Sequence, residues 1–267
     1  MRKSQWRKPY RVKKKKKPIL RSRIFWRGIL ILILSGEIFY FLIFSSLFQV
    51  KEIKISGGEE IKISDLKNII SRQIDKRVLF FPTRSLFLLN SRKMEKDVLE
   101  VFPLIAEINI RRVFPATAEV AIKERKATAF FEFAGREFFL DKEGVVFKEK
   151  DMSEGEYLKI SGIVLDQMPN LGDKIISGDL LESILKIESQ LKESIKIFPK
   201  EVFLAAGDRL NVKINEGWEI YFDPQKDLDW QTAKLAALLE SEIPQAKRKN
   251  LGYIDLRFGN LAPYKYR

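Results

Sequence analysis

The sequence predicts an α+β protein carried on one N-terminal transmembrane helix. A small β-α-α-β-β domain follows the helix, then a larger, mainly antiparallel β domain with flanking helices. Three observations lead there. Residues 28–48 (GILILILSGEIFYFLIFSSLF) hold a single charge, Glu37, and no proline. Residues 1–27 carry thirteen Lys and Arg and no acid, leaving 36 of the chain's 49 basic residues against 36 acids in the rest. Beyond the apolar stretch, hydrophobic periods typical of helices and of strands alternate between turn signals.

Taken as a helix, residues 28–48 would extend about 31 Å, close to the thickness of a bilayer's hydrocarbon core. The run is longer than the apolar part of a signal peptide and no A-x-A-like site follows it, so it reads as an uncleaved anchor. Basic residues beside a span stay in the cytoplasm, which predicts a single-pass type II protein with residues 49–267 outside. Glu37 falls near the midpoint, where an acid costs roughly 2.5–3.5 kcal/mol on insertion scales. With Ser35 and Gly36 it forms a small polar patch suited to a partner helix, although a strongly apolar helix also tolerates one protonated acid.

The tail, residues 1–27, has a five-lysine run with Pro9 and Pro18 flanking it, and is expected to be disordered. Anionic lipid would attract it by ~1 kcal/mol per basic residue near the surface. Polyphosphate attracts the same charges, and a topology signal needs no partner at all. We expect lipid and no specific nucleic acid.

Next comes a small domain, 49–125. VKEIKIS before Gly57-Gly58 reads as a strand and a turn, and Ser64 is placed to cap a helix with Leu66, Ile69, Ile70 and Ile74 at helical spacing. After the apolar link VLFFPTRSLFLLN, Ser91 is placed to cap a second helix with Met94, Val98 and Leu99, which Pro103 ends. Two alternating segments follow: Ala106, Ile108 and Ile110 share a face in one, Ala118, Val120, Ile122 and Glu124 in the other.

Residues 126–267 read mostly as strands. Ala134-Gly135-Arg136 joins FFEF to EFFLD, and Asp141-Lys142-Glu143-Gly144 turns into VVF. Ser177 is placed to cap a long helix with Leu180, Leu181, Ile184, Ile187, Leu191 and Ile195 on one side. Strands at 202–205, 210–214 and 218–222 precede a helix with Leu228, Leu235, Leu238 and Leu239. YIDLRF and LAPYKY then form a last strand pair, with Pro263 confining the final segment to a sheet edge.

The chain has no cysteine and no histidine, which removes disulfides, thiolate and imidazole metal sites, and His-based nucleophile systems. No cofactor, metal or small-molecule substrate is expected, and no catalytic residue. Paired acids at Glu59/Glu60, Asp141/Glu143 and Asp227/Asp229 sit in turns or at a helix start, where acids are common for structural reasons. An anchored carboxylate hydrolase is the enzyme reading they would support.

The order of elements, with PLIAEINIRRVFPAT (103–117), IKERKATA (122–129), FFLDKEGVVF (138–147) and YIDLRF (253–258), resembles the POTRA and β domains of the FtsQ/DivIB bacterial cell-division proteins. The resemblance implies a non-enzymatic divisome scaffold of the inner (plasma) membrane at the septum. Its implied partners are FtsB/DivIC-like and FtsL-like bitopic proteins, bound by strand addition at the C-terminal sheet edge. POTRA domains also occur in envelope assembly and secretion proteins, which leaves an adaptor of that type as the alternative. Alternation on YIDLRF points Ile254, Leu256 and Phe258 to one face and Tyr253, Asp255 and Arg257 to the other. Carried over from the family, the partner-binding candidates are Tyr253, Asp255, Arg257, Phe258, Tyr264 and Tyr266. Phe258 is equally a candidate for the core.

Overall fold

The computed structural model describes residues 22–151, 154–206 and 209–267. Helix α1, Arg23–Phe44, is the long apolar element; Ile43 is its one buried residue. Its limits differ from the expected span. The apolar residues Ile24, Phe25 and Trp26 carry the helix back to Arg23, into what was expected to be tail, and Ser45 stops it with extended backbone. The rest of the basic tail lies outside the described residues, and with it the expected lipid attraction.

After α1 come β1 (Glu52–Ser56), α2 (Ile63–Ile74), the short hairpin β2 (Lys76–Val78) and β3 (Phe81–Thr83), and α3 (Ser91–Val101). Then come β4 (Ile105–Val113) and β5 (Thr117–Glu124), in a three-stranded sheet of order β1-β5-β4. Leu66, Ile70, Ile74, Met94 and Val98 are buried as their spacing predicts, whereas Leu99 is exposed. Ser64 is not the cap: α2 starts one residue earlier, and the Ser64 hydroxyl donates to Asp65 Oδ1 at 3.3 Å.

Strands β6 (Ala129–Phe133), β7 (Arg136–Leu140), β8 (Val146–Glu149) and β9 (Leu158–Ser161) precede α4 (Gly178–Gln190). Strands β10 (Pro199–Ala205), β11 (Arg209–Ile214) and β12 (Glu219–Phe222), helices α5 (Leu228–Ser241) and α6 (Gln245–Arg248), and strands β13 (Leu251–Asp255) and β14 (Tyr264–Tyr266) complete the chain. Nine strands form one sheet in the order β14-β13-β12-β11-β10-β9-β6-β7-β8. The sheet is mixed. β6 with β9, β9 with β10 and β12 with β13 are parallel; β7 and β8 lie in the first crossover, and α4 and α5 in the other two. Ser177 Oγ accepts from Leu180 N and opens α4 as expected. The two-residue turn between β6 and β7 puts Ala134 and Gly135 at φ 51° and 79°, the left-handed region a tight hairpin needs.

Two compact units result. One holds the described residues through Lys54 with Ser71–Asn90 and Arg112–Ala118. The other holds Ile55–Ile70, Ser91–Arg111 and Glu119–Arg267. Within the second, one core joins the large sheet to α4 and α5, with Trp218, Phe222, Leu181, Ile184 and Leu235 among its most buried side chains.

Candidate functional site

The nine-stranded sheet has two edges, and they differ. At β8 the outer side is occupied at the start of the strand: Val146 N donates to Asp173 O at 2.9 Å, Gly172 N donates to Val146 O at 2.6 Å, and Val145 bridges to Lys174. At the other end, β14 pairs with β13 and has no strand beyond it among the described residues. A row of unpaired backbone groups at such an edge is a template for another chain.

Helix α5 builds the ground beside that edge. Trp230, Lys234 and Leu238 recur at intervals of four on one face of α5, and Glu242, its C-cap, continues the series. Lys234 Nζ donates to three carbonyl oxygens of the loop after β13: Leu256 at 2.7 Å, Gly259 at 2.7 Å and Leu261 at 3.3 Å. Trp230 Nε1 donates to Gly259 O at 3.4 Å, and Tyr264 Oη donates to Glu242 at 3.4 Å. Burial lowers the pKa of the Lys234 ammonium. An open groove of about 830 Å³ runs along this face, lined among others by Leu238, Phe258, Leu261, Pro263 and Tyr264.

Residue by residue, the expected binding set divides. Tyr264 and Tyr266 lie on the edge strand, exposed, their rings edge to face at 5.7 Å. Phe258 is 52% exposed and lines the groove, which corrects its expected place facing the core with Ile254 and Leu256. The strand stops at Asp255, whose Oδ1 accepts from Arg257 N, and the two-residue alternation stops with it. Asp255 was expected to point outward and is buried, held by Arg257 through Nε at 2.9 Å and Nη2 at 2.6 Å. Burial pushes the Asp255 carboxyl up, but the hydrogen bonds from Arg257 outweigh it and leave the group below the usual carboxylate range. Arg257 is raised in turn by its bond to Asp255. Tyr253, half-buried, stacks on Tyr221 at 5.0 Å, and Arg209 lies over the Tyr221 ring. Its strand, β13, is internal to the sheet.

The paired acids serve the fold. Asp141 accepts from Glu143 N and Val145 N and pairs with Arg125. Asp227 caps α5, Asp229 bonds Lys186 and Gln190, and Glu60 pairs with Lys148. Among the described residues no cluster of acids could hold a metal ion. Glu37 is exposed on α1, the one described helix long and apolar enough to cross a membrane.

Residues 48–125 match the family model "POTRA domain, FtsQ-type", and residues 129–257 match "Cell division protein FtsQ/DivIB, C-terminal". The chain belongs to the FtsQ/DivIB family. It is therefore a cell-division protein of a non-enzymatic family, and its apolar α1 fits a bitopic membrane protein. It is similar to cell division protein DivIB of Clostridium acetobutylicum, 27% identical over 68% of this chain and 76% of that one. It is also similar to cell division protein FtsQ of Streptomyces bingchenggensis, 20% identical over 83% of this chain and 79% of that one. Among solved structures, the major extracytoplasmic domain of Geobacillus stearothermophilus DivIB aligns at 17% identity and a TM-score of 0.27, covering 46% of this chain and 99% of that one.

Of the α5 stripe in this FtsQ/DivIB chain, the hydrophobic period took in Leu238 and passed over Trp230, Lys234 and Glu242. Its signal was the recurrence of Trp230, Lys234, Leu238 and Glu242 every four residues, outside the buried set of Leu228, Leu235 and Leu239.

Proposed function

We propose that this FtsQ/DivIB chain is a divisome scaffold at the septum, N-terminus in the cytoplasm and both folded domains outside, which binds FtsB/DivIC-like and FtsL-like bitopic proteins by strand addition. The uncovered edge of β14 carries this reading. An incoming strand would complete the sheet beside Tyr264 and Tyr266, and its alternate side chains would meet the groove at Phe258 and Leu261. Tyr253, Asp255 and Arg257 then support the edge from within the sheet. In the membrane, Glu37 is offered as a contact for a partner's helix. The basic tail is offered as a ligand for anionic lipid.

Deleting residues 264–267 from the full-length protein should abolish co-purification of an FtsB-like partner from native membranes while α1 still inserts. Undiminished co-purification would remove the interface. A fluorescent fusion should gather at the septum; an even envelope signal with normal division on depletion would remove the divisome role. Glu37→Leu should insert at least as well as the parent, and weaker partner recovery would tie the acid to a partner's helix.

A further inference from the structure

The first compact unit closes around the end of α1 with aromatic rings. Phe41 meets Phe48 at 5.9 Å, Phe48 meets Phe87 at 5.2 Å, and Phe87 meets Phe114 at 5.3 Å. On another side Phe44 meets Phe81 at 6.0 Å. Polar side chains fix the attachment. Thr83 Oγ1 donates to Ile43 O at 2.6 Å, Ser85 Oγ to Leu42 O at 3.0 Å, and Gln49 Nε2 to Ile43 O at 2.8 Å. Carbonyls that the end of a helix leaves unpaired are thus satisfied by protein and do not need water.

Two turns of this unit expose what water should disfavour. The β2–β3 turn is Leu79-Phe80, 84% and 91% exposed, and Leu79 holds φ 57°. In a two-residue hairpin that conformation is normally left to glycine or asparagine, and a leucine there is both strained and solvated. The β4–β5 turn exposes Val113 and Phe114, the latter at 55%. Apolar patches of this kind mark an interaction surface.

Helix length indicates which one. The helix, Arg23–Phe44, has 22 residues, about 33 Å at ~1.5 Å each, enough to cross a hydrocarbon core of about 30 Å and end at its surface. The aromatic rings and the exposed turns gather at its C-terminal end. We infer that the Leu79-Phe80 tip and the Val113–Phe114 turn enter the lipid interface where α1 ends, a collar that anchors this unit to the bilayer surface. Arg77, exposed beside the tip, can extend along the apolar surface and keep its charge among phosphates.

This rests on reading α1 as a span, and the absence of cysteine makes it testable. Phe80→Cys, Phe114→Cys, Ile33→Cys and Phe203→Cys each give one site for an environment-sensitive fluorophore. The full chain is reconstituted in phosphatidylcholine vesicles containing doxyl-labelled lipid. Labels at 80 and 114 should be quenched by shallow doxyl groups at least several-fold more than the label at 203, and the label at 33 by deep ones. Quenching at 33 without excess quenching at 80 and 114 overturns the collar and leaves the span standing. No quenching at 33 overturns both. Labels at 80 and 114 shielded from aqueous iodide yet untouched by lipid quenchers would assign the patch to a second copy of the chain instead.

Discussion

Lys234 Nζ lies 2.7 Å from the carbonyl oxygens of both Leu256 and Gly259. One cation on α5 thereby fixes the loop that turns β13 back into β14, and so determines where the free edge falls. Lys234→Met keeps the length of the side chain and removes all three hydrogen bonds. Bonds to a charged group contribute about 1.5–3 kcal/mol, so urea denaturation should show a loss in that range or below it. Partner binding should weaken further than stability alone accounts for, because the edge becomes mobile.

Tyr264→Ala and Tyr266→Ala remove exposed side chains. Stability should change by no more than about 0.5 kcal/mol. Partner affinity should fall by roughly 2 kcal/mol, about thirtyfold, if these rings anchor the interface. Titration of the partner against the reconstituted protein reads both variants.

Asp255 and Arg257 set an acid dependence. The carboxyl lies below its ordinary range in the folded chain, so the unfolded chain takes up its proton first as the pH falls. The stabilisation is fully present above the unfolded value of about 3.9 and is lost as pH drops through the lower folded value. Asp255→Asn should therefore be less stable than the parent at neutral pH, with the gap narrowing below about pH 4. Denaturation midpoints at pH 7 and near pH 3 check the sign.

Arg125 and Asp141 form an ion pair in which the carboxylate side chain is only 5% exposed. Arg125 also donates to Pro103 O at 3.0 Å. Breaking a buried pair on one side leaves a charge without a partner, at a cost of about 3–5 kcal/mol. Arg125→Met should approach that loss, and the double variant with Asp141→Asn should recover part of it. A double-mutant cycle by chemical denaturation separates the coupling from the packing of the arginine stem.

Much of the fold was legible in the sequence because it depends on neighbours close along the chain. The apolar run, the Ser177 cap, the Ala134-Gly135 turn and the buried faces of α2, α4 and β5 all follow from local spacing. Where local rules compete, the reading slipped. Ser64 has the right chemistry for a cap, yet the helix formed one residue before it. Phe258 continues a two-residue alternation that the turn at Asp255 interrupts. Asp255 reads as a surface acid until Arg257 covers it.

By itself, the sequence determined the long apolar helix, the order of most elements and the inward faces of β4 and β5, since each depends on a hydrophobic period within a dozen residues. Pro263 had already confined the final segment to a sheet edge; only the tertiary structure decided what lies beside that edge. Alternation fixes the face a residue takes but says nothing of which strand lies beside it. The α5 crossover sets β13 parallel to β12, and the loop held by Lys234 lays β14 outside it. The free edge, its groove and the collar at the end of α1 all arise from contacts between residues far apart in the chain.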